Sequence, residues 1–382
     1  MAKSGVWGLQ QVRDKYLQSD WTYSGVQTLF AWGYNNYGQL ADNNKVNKSS
    51  PIQIPGTWST ASSNTQNCGF INTSGELYTV GVNYNYGQLG LNNRTNYSSP
   101  IQIPGTTWST IWTNYEWMAA TKTDGTLWQW GWNEKGNLGL NNTTDYSSPV
   151  QVPGSTWPTS TVEGATGENT TGMIKTDGTL WTWGNNEVGG LGHNNTTDYS
   201  SPKQVPGTTW SQISMGNENT AAIKTDGTLW TWGSNEQGVL GQNALVSLHR
   251  SSPTQIPGTT WSKSTIGDRV CFALKTDGTL WAWGDNGDGS LGQNDVVKQS
   301  SPVQIPGTDW SDIAPIIGTG KIGMATKTDG TLWMWGDNGG GETGANNLTK
   351  YSSPIQVTGS PWTPLSVGGS SGEAATLAFR SV

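Results

Sequence analysis

The chain has only two histidines, His193 and His249, the residue type most often used as a general base or a zinc ligand. A Ser-His-Asp triad or a zinc site needs partner residues that cluster in the fold. His193 lies in the segment LGHNN, where similar segments have Leu140, Gln242 or Gln293, and this favours a tolerated surface substitution. His249 lies in ALVSLHRSS, and no partner set recurs near either histidine. We therefore predict that the protein is not an enzyme, and we assign no catalytic residue.

Cofactor and metal chemistry is also poorly represented. The segment DNGDGSLG at Asp285–Gly292 is superficially similar to a calcium loop, but it has too few ligands and no closing glutamate. The Gly-rich turns do not precede helical patterns, so they are not phosphate-binding loops. Cys68 and Cys271 are too few for a disulfide framework and are expected to be separate reduced thiols. We predict no cofactor and no metal.

Composition limits the kinds of partner. The net charge is −7, charged residues are 12% of the chain, and no window carries a run of Lys or Arg. Nucleic acid and anionic membrane surfaces are therefore not expected partners. No apolar stretch approaches the ~20 residues of a membrane span, and the charged N-terminus does not resemble a secretory signal. We expect synthesis in a cytosol and no membrane insertion. The 23 tryptophans indicate a folded chain rather than a disordered one.

One decamer dominates the sequence. KTDGTLWTWG at Lys175–Gly184 recurs unchanged at Lys224–Gly233 and with one substitution in three other places. At one repeat position, from Gly33 to Gly336, Trp-Gly or in one unit Val80-Gly81 occurs seven times at spacings of 48 to 53 residues, and Ser-Ser-Pro also occurs seven times. A period near 50 residues is typical of propeller blades with roughly four strands each.

Each unit has the pattern of short strands and tight turns. AAIKTDGTLWTWG (Ala221–Gly233) predicts two strands joined at Asp226 and Gly227, where glycine supplies a positive φ. Trp230 and Trp232 are two residues apart and should lie on one face of their strand. We predict that these tryptophans pack between adjacent blades, where each indole removes about 150–250 Å² from water. The alternative is a ligand platform of exposed rings.

The two termini predict a closed ring. The last unit ends at LSVGGSSGEAATLAFRSV without its decamer, and the missing half is GVQTLFAWG near the N-terminus. Joining them gives a final blade made from both ends and leaves no open sheet edge. We predict an all-β, closed seven-bladed β-propeller over residues 26–382 with split-blade closure, preceded by a segment of residues 1–25.

The unit TxAIKTDGTLWTWGxNxxGxLGxN resembles the repeat of the regulator of chromosome condensation family over about residues 26–382. The resemblance implies a seven-bladed propeller with this closure. The family includes a nuclear guanine-nucleotide exchange factor, a plant light receptor and a secreted bacterial β-lactamase inhibitor, so it implies architecture rather than one activity. Exchange factors of the family often have a histidine before the strand that precedes the turn, where this chain has Asn169 and Asn219.

The segment before the repeats predicts a short amphipathic helix. It resembles the N-terminal tags of bacteriophage virion structural proteins, which implies a docking peptide; the alternative is a helix packed on its own propeller. The predicted virion-docking residues are Val6, Trp7, Leu9, Val12 and Tyr16.

The loops before the decamer strands vary most in length and composition, and in a propeller they share one end of the ring. Aromatic and charged residues there are candidates for contacts with a partner, and neutral drift of the loops is the alternative. The predicted partner-binding residues are Trp112, Tyr115, Trp117, Glu163, Glu168, Arg269 and Lys321.

These observations favour a non-enzymatic bacteriophage virion protein, such as a tail fibre, appendage or decoration component. It would be made in the host cytoplasm and would bind other virion proteins or a host-surface receptor, with self-association in the particle as a further option. The alternatives are a soluble cellular interaction or inhibitor propeller with one protein partner, or a glycan-binding propeller that uses exposed tryptophans.

Overall fold

The computed structural model describes residues 27–83, 85–243, 248–317, 321–368 and 374–381. Within these ranges the chain is built from short β-strands, with two single-turn 3-10 helices at Thr161–Glu163 and Glu236–Gly238. The boundary predicted at residue 25 and the predicted N-terminal helix lie outside the described residues.

The strands form seven sheets, each the blade of a propeller. The first two strands of the chain are β1 (Gln27–Gly33) and β2 (Lys48–Gln53). Blades 1 to 3 follow as β3 (Trp58–Ser63), β4 (Asn67–Asn72), β5 (Leu77–Gly81) and β6 (Tyr97–Gln102); β7 (Trp108–Thr113), β8 (Trp117–Lys122), β9 (Leu127–Gly131) and β10 (Tyr146–Gln151); β11 (Gly164–Gly167), β12 (Thr170–Ile174), β13 (Leu180–Gly184) and β14 (Tyr199–Gln204).

Blades 4 to 7 repeat this antiparallel order, with one two-residue strand, β24 (Ile316–Ile317), added parallel to β28 (Trp362–Gly368) in blade 7. They comprise β15 (Trp210–Met215), β16 (Asn219–Lys224), β17 (Leu229–Gly233) and β18 (Arg250–Ile256); β19 (Trp261–Ile266), β20 (Val270–Lys275), β21 (Leu280–Gly284) and β22 (Gln299–Ile305); β23 (Trp310–Ile313), β25 (Ile322–Lys327), β26 (Leu332–Gly336) and β27 (Tyr351–Val357); and, in blade 7, β24, β28 and β29 (Ala375–Ser381) together with β1 and β2.

Blade 7 joins the two ends of the chain. Strand β1 pairs with β29 in continuous antiparallel register, from Gln27 opposite Ser381 to Gly33 opposite Ala375. The sheet has the order β2-β1-β29-β28-β24. The predicted all-β, seven-bladed, split-blade propeller is confirmed.

The second tryptophan of each decamer packs between blades, as predicted. Trp232 is fully buried, and its Nε1 donates to the carbonyl of Gly190 in the preceding blade at 2.9 Å. Six equivalent indoles make this contact at 2.7–2.9 Å. The hydrophobic core is correspondingly divided into seven clusters, each shared by two adjacent blades. The repeated tryptophan therefore builds the ring rather than a wet groove.

A second repeated contact runs round the outer rim. Asn92 adopts a φ of +53° and donates its backbone N–H to the carbonyl of Ser147 in the next blade. Such a backbone bond forms at all seven blade junctions, at 2.6–2.9 Å. This explains why every unit has an asparagine in the loop after Trp-Gly and a Ser-Ser-Pro segment, since asparagine tolerates the left-handed conformation.

The remainder of the decamer forms a polar relay at the turn. Trp230 Nε1 donates to Thr228 Oγ1 at 2.8 Å, and that hydroxyl donates to Asp226 Oδ1 at 2.7 Å. Lys224 Nζ lies 4.7 Å from the ring centroids of both Trp210 and Trp230, a cation–π arrangement. The first tryptophan of the pair is thus half-buried under its own turn.

Candidate functional site

The order of strands places two sets of loops at one end of the ring. Loops between first and second strands, and between third and fourth strands, lie at this loop end, while the Asp-Gly turns lie at the other. Neighbouring inner loops are tied together: Asn114 Nδ2 donates to the Gly167 carbonyl at 2.5 Å, and Asn67 Nδ2 to the Tyr115 carbonyl at 3.2 Å. The loops therefore form a connected surface.

Two of the predicted contact residues are buried. Trp117 is 0% exposed and its Nε1 donates to the carbonyl of Glu168, and Trp112 is 7% exposed with its Nε1 bonded to the carbonyl of Thr161. Both indoles pack against blade 3. The expectation that their rings face a partner is therefore corrected, because they fill the junction between blades 2 and 3.

The other five predicted residues occupy different surroundings. Tyr115 is 43% exposed, and its hydroxyl accepts from Gln66 Nε2 at 2.9 Å. Glu163 ends a 3-10 helix beside the axis, and burial raises the pKa of its carboxyl. Lys321 forms an ion pair with Asp288 at 2.8 Å. The remaining two, Glu168 and Arg269, lie in inner loops of the loop end. Their role in partner binding stays a prediction.

Carboxylates gather on the loop end of blades 2 to 4, with one from blade 5 at the edge. We call this group the acidic sector. Its members are Glu116, Glu134, Asp145, Glu168, Glu187, Glu218, Glu236 and Asp268.

The pKa values of the sector show that its charges act on one another. Burial raises the pKa of Glu116, and the charges of Glu168, Asp145 and Glu134 raise it further. Glu218 has a pKa raised by burial and then by Glu236, Glu168 and Glu187. Burial raises the pKa of Asp268 to about 7.

Few basic side chains neutralise the carboxylates of the acidic sector. Among the described residues Glu187 forms an ion pair, with Lys135 at 2.7 Å, and no ion pair involves the other seven carboxylates. Arg269 lowers the pKa of Asp268 and His249 lowers that of Glu218.

Blades 5 and 6 are neutralised at the same end. Asp288 pairs with both Lys321 and Lys350, and Asp285 pairs with Lys298. The segment at Asp285–Gly292 thus uses lysines as its counterions. In the described ranges no group of three His, Cys, Asp or Glu side chains is placed to hold a metal ion.

Sequence reasoning missed most of the acidic sector, although a signal existed. Glu134, Glu187 and Glu236 follow the Trp-Gly glycine at one repeat position, in three successive units. Comparing charges by repeat position, rather than along the chain, would have found them. Glu116 and Glu218 also share a register, directly before the second strand of their blades.

The histidines have structural roles. His193 is half-buried rather than on the surface, bonds Thr182 Oγ1 through Nε2 at 3.0 Å, and has a pKa lowered by burial to about 4. His249 Nδ1 accepts from the backbone N–H of Asn235 at 3.4 Å, where Asp198 performs the same task in blade 3. Both thiols, Cys68 and Cys271, are buried and free.

Other predicted features lie outside the described residues or concern membranes. Val6, Trp7, Leu9, Val12 and Tyr16 belong to residues 1–26, which the structure does not describe. In the part of the chain that it does describe, no helix is long and apolar enough to cross a membrane.

Solved structures share the fold. Yeast RCC1 (Prp20), solved bound to Kap60, superposes with a TM-score of 0.79 at 16% identity, covering 96% of this chain and 92% of that one. Human WBSCR16 gives a TM-score of 0.79 at 18% identity, covering 93% and 99%. A structure of Prp20p from Saccharomyces cerevisiae gives 0.78 at 16%, covering 94% and 92%. At these identities the likeness concerns the fold.

Sequence comparison identifies the family. The ultraviolet-B receptor UVR8 of Arabidopsis thaliana is 30% identical over 188 residues, which is 48% of this chain and 43% of the receptor's length. The regulator of chromosome condensation (RCC1) repeat matches residues 28–63, 124–170, 177–223, 226–274 and 277–314, more than half of the chain, and a second RCC1 repeat description matches residues 210–239. The chain therefore belongs to the RCC1 repeat family.

Proposed function

We propose that this protein is a non-enzymatic interaction propeller that binds a basic segment of a protein partner through the acidic sector. The observation that carries the proposal is the set of seven carboxylates without ion pairs among the described residues, on three consecutive blades and the edge of a fourth. The carboxylates repel one another in the unbound protein. A cationic partner would relieve that repulsion when it binds.

The geometry of the loop end supports protein contact. The inner loops are fixed by hydrogen bonds between blades, so the surface is rigid before binding and loses little conformational entropy. Tyr115 lies exposed beside Glu116 and offers an aromatic contact of the kind found in interface hot spots. Relatives of this fold are protein binders by their descriptions, yeast RCC1 with Kap60 and Prp20p with Gsp1p and histones.

The glycan-binding and virion hypotheses have less support from the described residues. A glycan platform would need exposed indoles, whereas Trp232 and its equivalents are buried. The virion role stays a prediction, because its motif falls in residues 1–26 and the relatives described above are cellular proteins. Deleting residues 1–24 and measuring incorporation into purified particles tests it. Non-enzymatic action is supported by the structural roles of both histidines.

The acidic sector can be tested with a fluorescent octalysine peptide and the full chain. We expect E168Q/E218Q to weaken binding about tenfold at low ionic strength, because two charges facing the peptide are removed. The control E76Q/D309N removes the same charge at two half-buried carboxyls outside the sector and should bind as the wild type does. Binding should also weaken with added salt.

Two results would contradict the proposal. Equal losses in the two double variants would mean that the peptide senses net charge rather than this surface. Unchanged affinity of E168Q/E218Q would place the contact elsewhere on the ring.

A further inference from the structure

The first strands of all seven blades surround an axial cavity of about 250 Å³. Each first strand is the inner edge of its sheet. The backbone N–H and C=O groups on its unpaired side therefore need partners from the next blade. Side chains supply them in several places: Thr110 Oγ1 donates to the Thr159 carbonyl at 2.8 Å, and Gln212 Nε2 donates to the Ser264 carbonyl at 2.7 Å. Neutral side chains at this level of the first strands thus complete the fold.

One position breaks this pattern. Two residues after the first-strand tryptophan, the lining residues of blades 1 and 4 are Thr60 and Gln212, but blades 5 and 6 have Lys263 and Asp312. The Lys263 Nζ and the Asp312 carboxylate form an ion pair across the junction, with side chains 22% and 33% exposed. Charges in a confined cavity carry a desolvation cost that their pairing barely offsets. Since threonine serves at this level in blade 1, the charged pair is not a requirement of the architecture.

One hydroxyl among the residues that line the cavity lacks a hydrogen-bond partner among the described residues. Ser214 lines the cavity and is 8% exposed, and its buried Oγ has no hydrogen-bond partner among the described residues. The corresponding side chains in two other blades are used: Ser62 Oγ bonds Thr113 Oγ1 at 2.9 Å, and Thr265 Oγ1 accepts from the Ile316 N–H at 2.7 Å. A buried hydroxyl without a partner destabilises the folded state unless a bound molecule satisfies it.

The opposite wall is apolar. In a ring of seven blades, blade 2 lies across the axis from the junction of blades 5 and 6, and it contributes Ile111 and Trp112 to the cavity. Because Trp112 Nε1 is bonded to the Thr161 carbonyl and the residue is 7% exposed, only a small apolar part of its ring borders the cavity. Ile213 and Met215 of blade 4, and Ile316, four residues after Asp312, add apolar lining elsewhere. The cavity therefore combines one charged pair with a largely apolar lining.

We infer that the axial cavity binds a small zwitterion of the α-amino-acid class with an apolar side chain. The ligand carboxylate would take Lys263 Nζ as its counterion and the ligand ammonium would take the Asp312 carboxylate, so the ion pair opens to two charge-assisted contacts. Rotation about χ1 of Ser214 would let its hydroxyl, buried in the free protein, form a further hydrogen bond, and the side chain of the ligand would rest on the wall formed by Ile111 and Trp112. A cavity of about 250 Å³ can hold a ligand of the size of an amino acid.

The test is calorimetric titration of the full chain with L-leucine and, separately, with N-acetyl-L-leucinamide, which has the same side chain but neither charge. We expect L-leucine to bind and the amide not to bind. K263T and D312T introduce the residue found at this level in blade 1, so the fold should tolerate them, and each should weaken binding at least about tenfold. K135T removes a lysine outside the cavity and should bind as the wild type does.

Thermal unfolding of each variant checks its fold, and S214A, a smaller change, should weaken binding severalfold if either threonine variant fails to fold. Absence of binding at about 10 mM L-leucine, L-methionine and L-phenylalanine would overturn the inference, since the affinity would then be weaker than about −3 kcal/mol. Equal binding of the uncharged amide, or unchanged affinity in K263T and D312T, would overturn it as well. Because the probe is a small molecule and the variants lie on the axis, these outcomes are independent of the octalysine experiment.

Discussion

Gly90 of blade 1 and Trp130 of blade 2 touch across the blade junction: a Cβ built on the glycine would lie 2.7 Å from the indole Nε1. The glycine has a φ of +74°, and the indole donates to the carbonyl of Gln88 at 2.9 Å. The same contact recurs where the Leu-Gly glycine of one blade meets the Trp-Gly tryptophan of the next. Two motifs that are about 40 residues apart in sequence, a separation set by four-strand blades, are thus halves of one interface.

This contact predicts that Gly90→Ala destabilises the ring. The added methyl group must displace the indole and the backbone is strained at positive φ, so we expect a loss of about 2–4 kcal/mol in the free energy of unfolding. Urea unfolding followed by tryptophan fluorescence measures it.

Gly105→Ala is the matched control, because Gly105 has a φ of +105° but its nearest neighbour to an added Cβ, Trp108 Nε1, is 3.8 Å away. This variant should show the strain without the clash and should lose less stability. Equal losses in the two variants would mean that the indole contact contributes nothing beyond backbone conformation.

Counting repeats was sufficient to predict the seven blades, the closure by both termini and the burial of the Trp-Gly indole. The partner of that indole was not predictable, because it depends on the rotation between neighbouring blades. Trp112 and Trp117 were misplaced for a related reason: they are near a loop in sequence, but the rotation brings blade 3 over them. The cavity pair Lys263 and Asp312 could not be recognised, since nothing along the chain marks which side chains of a first strand face the axis.

The turn relay predicts that Thr228→Val costs about 1 kcal/mol, because Trp230 Nε1 loses its acceptor and Asp226 loses a donor. The hydroxyl and N–H of Thr228 hold the pKa of Asp226 below its usual value. Such a group stabilises the fold above its ordinary pKa and loses that effect as the pH falls through the lowered folded pKa. The difference between wild type and variant should therefore shrink below about pH 4.

Thr225→Val makes the same chemical change in the same turn at an exposed residue, and no side-chain bond of Thr225 is found among the described residues. It should leave stability within about 0.5 kcal/mol of wild type. A loss as large as that of Thr228→Val would contradict the relay.

We predict that the two cysteine thiols are unreactive in the folded protein. Cys68 and Cys271 are fully buried, and burial raises the pKa of each thiol. Since the thiolate is the reactive form, we expect neither to react with a disulfide reagent such as dithionitrobenzoate at pH 8 in the folded protein. Both should react in denaturant. Rapid labelling of either thiol in the native state would show that its blade opens readily.

Asp268 predicts a pH dependence of the opposite sign to that of the turn aspartates. Its carboxylate accepts from Asn217 N at 3.0 Å and from Asn217 Nδ2 at 2.6 Å, joining blades 4 and 5. Burial raises its pKa to about 7, the charges of Glu168 and Glu218 add to the rise, and Arg269 opposes it. The folded state therefore binds this proton more tightly than the unfolded chain does, so the group's contribution to stability falls as the pH rises from about 4 to about 7.

Asp268→Asn removes this titration and keeps the bridge, because the new amide can accept from the Asn217 N–H while the Asn217 amide rotates to accept in return. The free energy of unfolding of the variant should rise relative to that of the wild type as the pH rises. This difference should level off above about pH 7 at no more than about 4 kcal/mol, since each unit of pKa shift corresponds to about 1.4 kcal/mol. Unfolding in urea at several pH values measures the difference. Glu236→Gln removes one charge from an exposed side chain of the same sector and should give a profile of stability against pH that is nearly parallel to that of the wild type. A parallel profile for Asp268→Asn would mean that Asp268 titrates normally.

A cationic partner on the acidic sector would favour the ionised form of Asp268. Octalysine should therefore bind the wild type more tightly at pH 8 than at pH 6, and this preference should weaken in Asp268→Asn.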